Sequence, residues 1–419
     1  MKVDGTLRVP GDKSISHRAL MFAALGNGRS RVRGILDSAD VRSTAGVLRA
    51  LGVDVPQLAD TIDVRGVGLH GLREPSDALD CGNSGTTTRL MAGVVSGSAI
   101  DATFIGDASL SRRPMKRIAK PLEAMGAKFE FARGDGLPMT VRGAPLHGLE
   151  WRSETASAQV KSAILLAALT ASVGATVHEP ARSRDHTERM LAARGVKVAS
   201  DDTTVRVAPV AHLEPLDTLV PGDPSSAAFV AALAALATSG SVVLRDVCVN
   251  ETRAGFFDVL RAMGASIEEL ERSDEGGEPV ATLRVTPGAL RAIHVGEAQI
   301  PSMIDEVTLL ACVAAYAEGE TVVEGAAELR VKESDRIAVV VDNLRRIGAD
   351  ADELPDGLRV RGARRRLRGR VTTHGDHRIA MAFGVLGAIE GNEIEVDDPE
   401  CVAVSYPAFW ADLRRLVTA

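Results

Sequence analysis

Aromatic side chains are scarce in this chain: Phe, Trp and Tyr together make 3% of 419 residues. Stacking platforms for nucleic-acid bases need such rings, so base recognition is disfavoured. An excess of positive charge is also missing, with a net charge of −7, which argues against a nucleic-acid partner. Cysteine is limited to Cys81, Cys248, Cys312 and Cys401, far apart and without a CxxC pair. They read as reduced thiols rather than a disulfide framework or a zinc site. Long hydrophobic runs are absent too. The longest, Ala227 to Ala237, is too short to cross a bilayer. No apolar leader precedes the first strand-like stretch, "GTLRVP", so a cytoplasmic location is expected. His186 and His377 lack a partner at metal-binding spacing.

What the chain does have is an apolar content of 45% and length for two domains. It also has repetition. "LRALGVDV" (48–55), "LEAMGAKF" (122–129), "LAARGVKV" (191–198), "LRAMGASI" (260–267) and "LRRIGADA" (344–351) share one pattern, roughly 70 residues apart. Each predicts an amphipathic helix stopped by a glycine (Gly52, Gly126, Gly195, Gly264, Gly348) and followed by a strand. A second strand signal follows each: "IDVRG", "MTVRG", "TVRVAP", "TLRVTP" and "GLRVRG". Small apolar helices recur near 17–25, 89–97, 160–171, 227–237, 305–317 and 377–389, a composition suited to close packing in an interior.

These signals predict six repeats, three per lobe, in a two-lobed α/β fold. The sixth lacks its last strand, and the N-terminal strand is expected to close it. The tetrapeptide Val-Pro-Gly-Asp occurs at 9–12 and at 220–223. Each copy is expected where the chain crosses between lobes, near 10–13 and 220–224. The lobes are then 12–222, and 1–11 with 223–419. Two crossings make a hinge, and a cleft between lobes is a usual ligand position.

Chemistry concentrates at the starts of the small helices. Lys13, Ser14 and Arg18 stand at the first, Asn83, Gly85, Thr86 and Arg89 at the second, and Ser157, Gln159 and Lys161 at the third. Asp305 and Glu306 stand at the fifth, and Asp376, His377 and Arg378 at the sixth. Helix N-termini offer free N–H groups and a positive dipole end, so basic residues there make anion sites. "GDKS" is not a nucleotide-binding P-loop, because the glycine spacing before Lys13 is wrong. "GDASLSRRPM" (106–115) adds Arg112 and Arg113. "ELRVKESDRI" (328–337) joins Lys332 and Arg336 to Glu333, a trio able to hold an anion and move a proton. The run "RGARRRLRGR" (361–370) reads as a solvated loop.

"PGDKSISHRA", "GNSGTTTR", "GDASLSRRPM", "SASAQVKSA", "SRDHTERM", "PSMIDE", "LRVKESDR" and "GDHRIAM", in this order, resemble the 5-enolpyruvylshikimate-3-phosphate synthase family over nearly the whole chain. "SASAQVKSA" and "SRDHTE" look like its divergent bacterial class, associated with herbicide tolerance. The family fold is an inside-out α/β barrel of two lobes, each of three βαβαββ repeats, so the resemblance implies six such repeats here. The resemblance implies transfer of an enolpyruvyl group from phosphoenolpyruvate to the 5-hydroxyl of shikimate 3-phosphate, with no metal or organic cofactor, by a cytoplasmic and usually monomeric enzyme. It implies that Lys13, Ser14, Arg18, Ser157, Gln159, Arg184, Asp305 and Lys332 bind shikimate 3-phosphate. It implies Lys13, Gly85, Arg113, Gln159, Arg336 and Arg378 for phosphoenolpyruvate. Asp305, Glu333 and Lys13 are the proton-transfer candidates. Val404 stands where many members have lysine, and Glu328 where many have asparagine. Tolerant members often have alanine at the position of Gly85. Two alternatives are UDP-N-acetylglucosamine enolpyruvyl transferase and a non-catalytic binder of anions or RNA ends. The first usually has a reactive cysteine in the loop matching "GDASLSRRPM", which this chain lacks. The second leaves Asp305 and Glu333 without a purpose.

Overall fold

A computed structural model describes residues 1–418. The chain divides into two compact units. One, the N-unit, is Gly11–Val220 with Asp274–Glu278; the other, the C-unit, is Met1–Pro10, Pro221–Ser273 and the chain from Pro279 on. The short stretch 274–278 differs from the sequence-based boundary, which placed it in the second lobe. It is the tip of a hairpin between the strands Ser266–Glu275 and Glu278–Thr286. Glu278 there is buried and meets His186 Nδ1 at 2.8 Å, which ties the tip to the N-unit.

Six helices rich in small apolar residues form the interior: α1 (Lys13–Leu25), α2 (Gly85–Ser96), α3 (Ala158–Thr170), α4 (Pro224–Leu236), α5 (Val307–Ala314) and α6 (His377–Gly387). α3 from Val160 to Thr170 and α4 from Pro224 to Ala235 are buried at every residue. A helix apolar on all sides can only be an interior helix. Six further helices, at 39–50, 116–125, 186–192, 255–263, 336–346 and 409–416, alternate with them. Of these, 116–125, 255–263, 336–346 and 409–416 are strongly amphipathic. Glycine lets interior helices approach closely. A Cβ at Gly93 of α2 would lie 2.3 Å from the Ala163 carbonyl oxygen of α3.

The five repeat glycines all take positive φ, from +82° at Gly195 to +117° at Gly126. That left-handed turn suits glycine and ends a helix. The strand expected after each forms at Lys128–Phe131, Val198–Ser200, Ser266–Glu275 and Asp350–Leu354. It does not form after Gly52. Val53 and Val55 are buried but join no ladder, and the sheet of that repeat has three strands, Asp217–Leu219, Arg29–Arg33 and Thr61–Arg65.

Each repeat contributes one sheet. In the second and third the order is first strand, second strand, then the closing hairpin, as in 79–80, 101–105, 139–142 and 128–131. The N-terminal strand departs from expectation. Lys2–Leu7 runs parallel to Ser239–Cys248 over its full length and so serves as the first strand of the fourth repeat. On its other side Lys2 and Val3 pair antiparallel with Thr418 and Val417 of the last repeat. Asp217–Leu219 plays the same part for the first repeat, running parallel to Arg31–Arg33. The reason lies in the helices. α1 and α4 each begin just after a boundary between units, so the strand preceding each in space must come from elsewhere in the chain. The arginine run at 361–370 is only partly loop: Gly357–Gly362 and Arg368–Val371 are strands.

Candidate active site

The two copies of Val-Pro-Gly-Asp do the same local work. Asp12 caps α1, accepting from Ile15 N at 2.8 Å, and Asp223 caps α4, accepting from Ser225 N at 2.7 Å. Ser84, Ser157 and Asp376 cap α2, α3 and α6 in the same manner. Five interior helices therefore begin with a side chain that satisfies part of the exposed N–H set and fixes where the next residues point.

In the N-unit, Lys13 Nζ meets Asp40 Oδ2 at 3.0 Å, and both are mostly buried. Arg18 lies one turn further along α1 and is 4% exposed. Its guanidinium is held by hydroxyls and a carbonyl: Nε donates to Thr187 Oγ1 at 2.7 Å, Nη2 to Ser162 Oγ at 2.8 Å and Nη1 to the Ser14 carbonyl at 3.0 Å. Burial pulls its pKa down to about 10, against the fields of Glu188, Asp12 and Glu278. A cation buried this way, with neutral contacts around it, is suited to receive an anion.

A second cluster joins α2 to α3. Arg89 Nη1 donates to Gln159 Oε1 at 2.7 Å, and Gln159 Nε2 donates to Thr86 Oγ1 at 3.2 Å. Arg113 Nη2 donates to Asn83 Oδ1 at 2.7 Å, and Asn83 donates on to Asp107 at 2.6 Å. Gly85 sits between the two arginines. A Cβ there would stand 2.9 Å from Arg89 Nη1 and 3.5 Å from Arg113 Nη1. The missing side chain is what leaves both guanidinium groups room at the start of α2.

Ser157 is held from behind. Its N–H donates to Glu179 Oε1 at 3.1 Å, and Glu179 Oε2 takes Lys161 Nζ at 2.7 Å. Lys161 also meets Glu188 at 2.8 Å and is 2% exposed. Burial acts to lower its pKa, but Glu188 and Glu179 outweigh that and raise it, so it stays a cation. Lys161 is thus committed within the unit. Arg184 lies half-buried in the loop before the helix 186–192.

In the C-unit the charges alternate. Arg336, 1% exposed, donates from Nε to Asp376 Oδ2 at 2.8 Å, from Nη1 to Asp305 Oδ1 at 3.2 Å and from Nη2 to Glu333 Oε2 at 2.7 Å. Burial works against its charge, but Asp376, Glu333 and Asp305 raise its pKa further above the usual range. For Asp376 the balance is reciprocal: burial raises its pKa, Arg336 more than offsets this, and it stays ionised. Arg378 Nη2 lies 3.8 Å from Asp305 Oδ2, and Nη1 3.4 Å from Glu306 Oε1. Lys332 stands apart from this knot, at the end of the 3₁₀ turn Ala327–Val331, with Glu328 at 3.4 Å. Val404 ends another 3₁₀ turn, Pro399–Val404, that packs against α6.

Lys13, Ser14, Arg18, Gly85, Arg113, Ser157, Gln159 and Arg184 thus fall in the N-unit. Asp305, Lys332, Glu333, Arg336 and Arg378 fall in the C-unit. In the N-unit most gather at the starts of interior helices; in the C-unit Asp305 and Arg378 do, while Lys332, Glu333 and Arg336 stand at the start of the amphipathic helix 336–346. Sequence reasoning passed over Asp40, Thr187 and Glu179, which hold Lys13, Arg18 and Ser157, and Arg253, which reaches Asp223 at 3.3 Å. The capping pattern Gly-Asp before a small-residue helix was the available signal for Asp12, Asp223 and Asp376.

Among the described residues, no helix is long and apolar enough to cross a membrane. The sequence profile of the family described as EPSP synthase (3-phosphoshikimate 1-carboxyvinyltransferase) matches residues 1–413. The chain is similar to a protein named 3-phosphoshikimate 1-carboxyvinyltransferase from Sulfurihydrogenibium sp., 48% identical over 99% of this chain and 97% of that one. It is similar to the protein of that name from Bacillus subtilis, 45% identical over 98% and 97%. A solved EPSP synthase from Acinetobacter baumannii superposes with a TM-score of 0.87 at 40% identity, over 99% of this chain and 96% of that one. The chain belongs to the EPSP synthase (3-phosphoshikimate 1-carboxyvinyltransferase) family.

Proposed function

We propose that the protein transfers the enolpyruvyl group of phosphoenolpyruvate to the 5-hydroxyl of shikimate 3-phosphate, giving 5-enolpyruvylshikimate 3-phosphate and phosphate. This is a step of the shikimate pathway, towards chorismate and aromatic amino acids. The observation that carries the reading is the knot around Arg336. One buried guanidinium holds Asp305 and Glu333 together, two carboxylates with different surroundings. Asp305 also faces Arg378, and Glu333 is the more exposed of the two.

Both substrates are polyanions, so cationic clamps must offset their repulsion and orient them. Lys13, Ser14, Arg18, Ser157, Gln159, Arg184, Asp305 and Lys332 take shikimate 3-phosphate. Lys13, Gly85, Arg113, Gln159, Arg336 and Arg378 take phosphoenolpyruvate. Arg18 supports the first assignment, being buried with hydroxyl and carbonyl hydrogen-bond partners around its guanidinium. Arg89 is added to the second, because it fixes the Gln159 amide beside Gly85.

The chemistry has two stages. Glu333, with Lys13, delivers a proton to the methylene carbon of phosphoenolpyruvate, which makes carbon 2 electrophilic. Asp305 takes the proton of the 5-hydroxyl as its oxygen bonds to carbon 2, and a tetrahedral adduct forms. In the second stage a proton leaves the new methyl group, the carbon–oxygen bond to phosphate breaks, and the phosphate leaves with a proton. Each positioned acid or base contributes roughly 10²–10⁴-fold. We take the enzyme to act as a cytoplasmic monomer, with no cofactor.

Phosphate release measured with shikimate 3-phosphate and, separately, with UDP-N-acetylglucosamine as acceptor tests the reading. Release with the first alone is expected. Release with the second alone, or with neither, would overturn it.

A further inference from the structure

The second Val-Pro-Gly-Asp copy has no basic residue beside it, whereas the first has Lys13 and Arg18. In the folded C-unit a cation arrives from another element. Arg253, 2% exposed, extends Nη2 to Asp223 Oδ1 at 3.3 Å and Nη1 to Glu306 Oε2 at 3.3 Å. Ser225 Oγ donates to the same Glu306 carboxylate. Glu306 is 1% exposed, and its Oε1 meets Arg378 Nη1 at 3.4 Å. The groups therefore alternate in sign: Asp223, Arg253, Glu306, Arg378, Asp305, Arg336, Asp376.

We infer that Glu306 is a positioning residue for Arg378, with Arg253 as the counterion that keeps it in place. The inference rests on the assignment of Arg378 to phosphoenolpyruvate. A buried guanidinium has several N–H groups and no preferred direction of its own. Glu306 fixes one end, Nη1, while Nη2 lies on the side of Asp305. A carboxylate clamped by one arginine alone would be a closed neutral pair. Here it lies between two, and removing its charge leaves two buried guanidinium groups with like charge on either side of it. With or without Arg253, Nη1 of Arg378 then loses the carboxylate that fixed it, and Arg378 shifts from the place where it meets the donor. Arg253 stays tied to Asp223 at the boundary between units, so Arg378 is the partner that moves.

Steady-state constants for both substrates in three variants decide this, with thermal midpoints measured alongside. Glu306→Gln keeps the shape of the side chain and is expected to raise KM for phosphoenolpyruvate about tenfold, with KM for shikimate 3-phosphate changed less than about twofold. The pair Arg253→Gln with Glu306→Gln removes one charge of each sign and should fold if the single variant does not. Its donor KM should stay raised. Arg378→Ala should raise the donor KM at least as far. An equal rise in both Michaelis constants, or a donor KM restored in the double variant, would make the cluster a part of the fold only and overturn the inference. So would failure of both Glu306 variants to fold. If Arg378→Ala leaves the donor KM unchanged, the donor assignment itself falls, and this inference with it.

Discussion

Glu333 and His17 show how differently one side chain can matter. Glu333 is a quarter exposed and held by Arg336 at 2.7 Å, so the carboxylate is oriented while open to a ligand. Glu333→Gln retains the shape and a hydrogen-bonding oxygen but cannot exchange a proton. Both substrates are expected to bind it with dissociation constants near wild type in direct titration, while turnover falls by about 10²-fold or more. His17 works on the fold. It is fully buried in α1, with Nδ1 at 2.6 Å from Thr44 Oγ1. Burial, with Lys13 and Arg18 nearby and only Asp40 opposing, lowers its pKa to about 3. The unfolded chain binds a proton near pH 6.5 and the folded one does not until near pH 3. His17 therefore stabilises the fold above pH 6.5, and that contribution is lost as pH falls towards 3, by at most about 1.4 kcal/mol per pH unit. Denaturant titrations from pH 7 to pH 4 should show a flatter decline in His17→Gln than in wild type. Parallel declines would place the acid sensitivity elsewhere. Gly85 decides a matter of space. Because a methyl there lies 2.9 Å from Arg89 Nη1, Gly85→Ala must push on the Arg89–Gln159 pair. Glyphosate is longer than phosphoenolpyruvate, so it should lose more. Competitive inhibition against phosphoenolpyruvate is expected in wild type, with the inhibition constant raised in Gly85→Ala by a larger factor than the substrate's KM. A wild type insensitive to glyphosate would remove Gly85 as the deciding residue.

At the level of elements, the repeat was legible because it is written in local chemistry. Glycine at a left-handed turn, an alternating strand and a small-residue helix are each fixed by neighbours in sequence, and together they mark six interior helices. The positions of cations at helix starts were legible for the same reason. What holds those cations was not. Thr187 is 169 residues from Arg18, and Arg253 is 30 residues from Asp223. Such contacts depend on which helices pack together, and nothing local encodes them. The strand Asp217–Leu219 was missed because three residues carry too little alternation to register. Val53–Val55 was over-read because two buried valines mimic a strand when no partner lies alongside. Close packing of α2 on α3 yields a further prediction. A methyl at Gly93 would stand 2.3 Å from a backbone carbonyl, which cannot swing away as a side chain can. Gly93→Ala is expected to destabilise the protein by about 1–3 kcal/mol through overpacking. Urea unfolding followed by circular dichroism measures it, and an unchanged midpoint would mean that the two helices can separate without cost.

Across the whole molecule, the chain supplies each unit with a strand from a distant segment: Lys2–Leu7 for the fourth repeat and Asp217–Leu219 for the first. The paired Val-Pro-Gly-Asp segments lie where the chain passes between units, and each contributes an aspartate cap to the interior helix that follows. Their difference in charge follows from use. Lys13 and Arg18 come with α1 itself, whereas Asp223 at α4 draws on Arg253 from a neighbouring segment. The central claim is that the chain carries out an addition and then an elimination on one pair of substrates. NMR of the reaction of phosphoenolpyruvate with shikimate 3-phosphate in D₂O tests it most directly. The account predicts one vinyl ether and one phosphate per acceptor consumed. It also predicts deuterium in the vinyl methylene group, because the methyl formed in the first stage loses any one of its hydrogens in the second. A vinyl ether free of deuterium, or phosphate released without a vinyl ether, would contradict it.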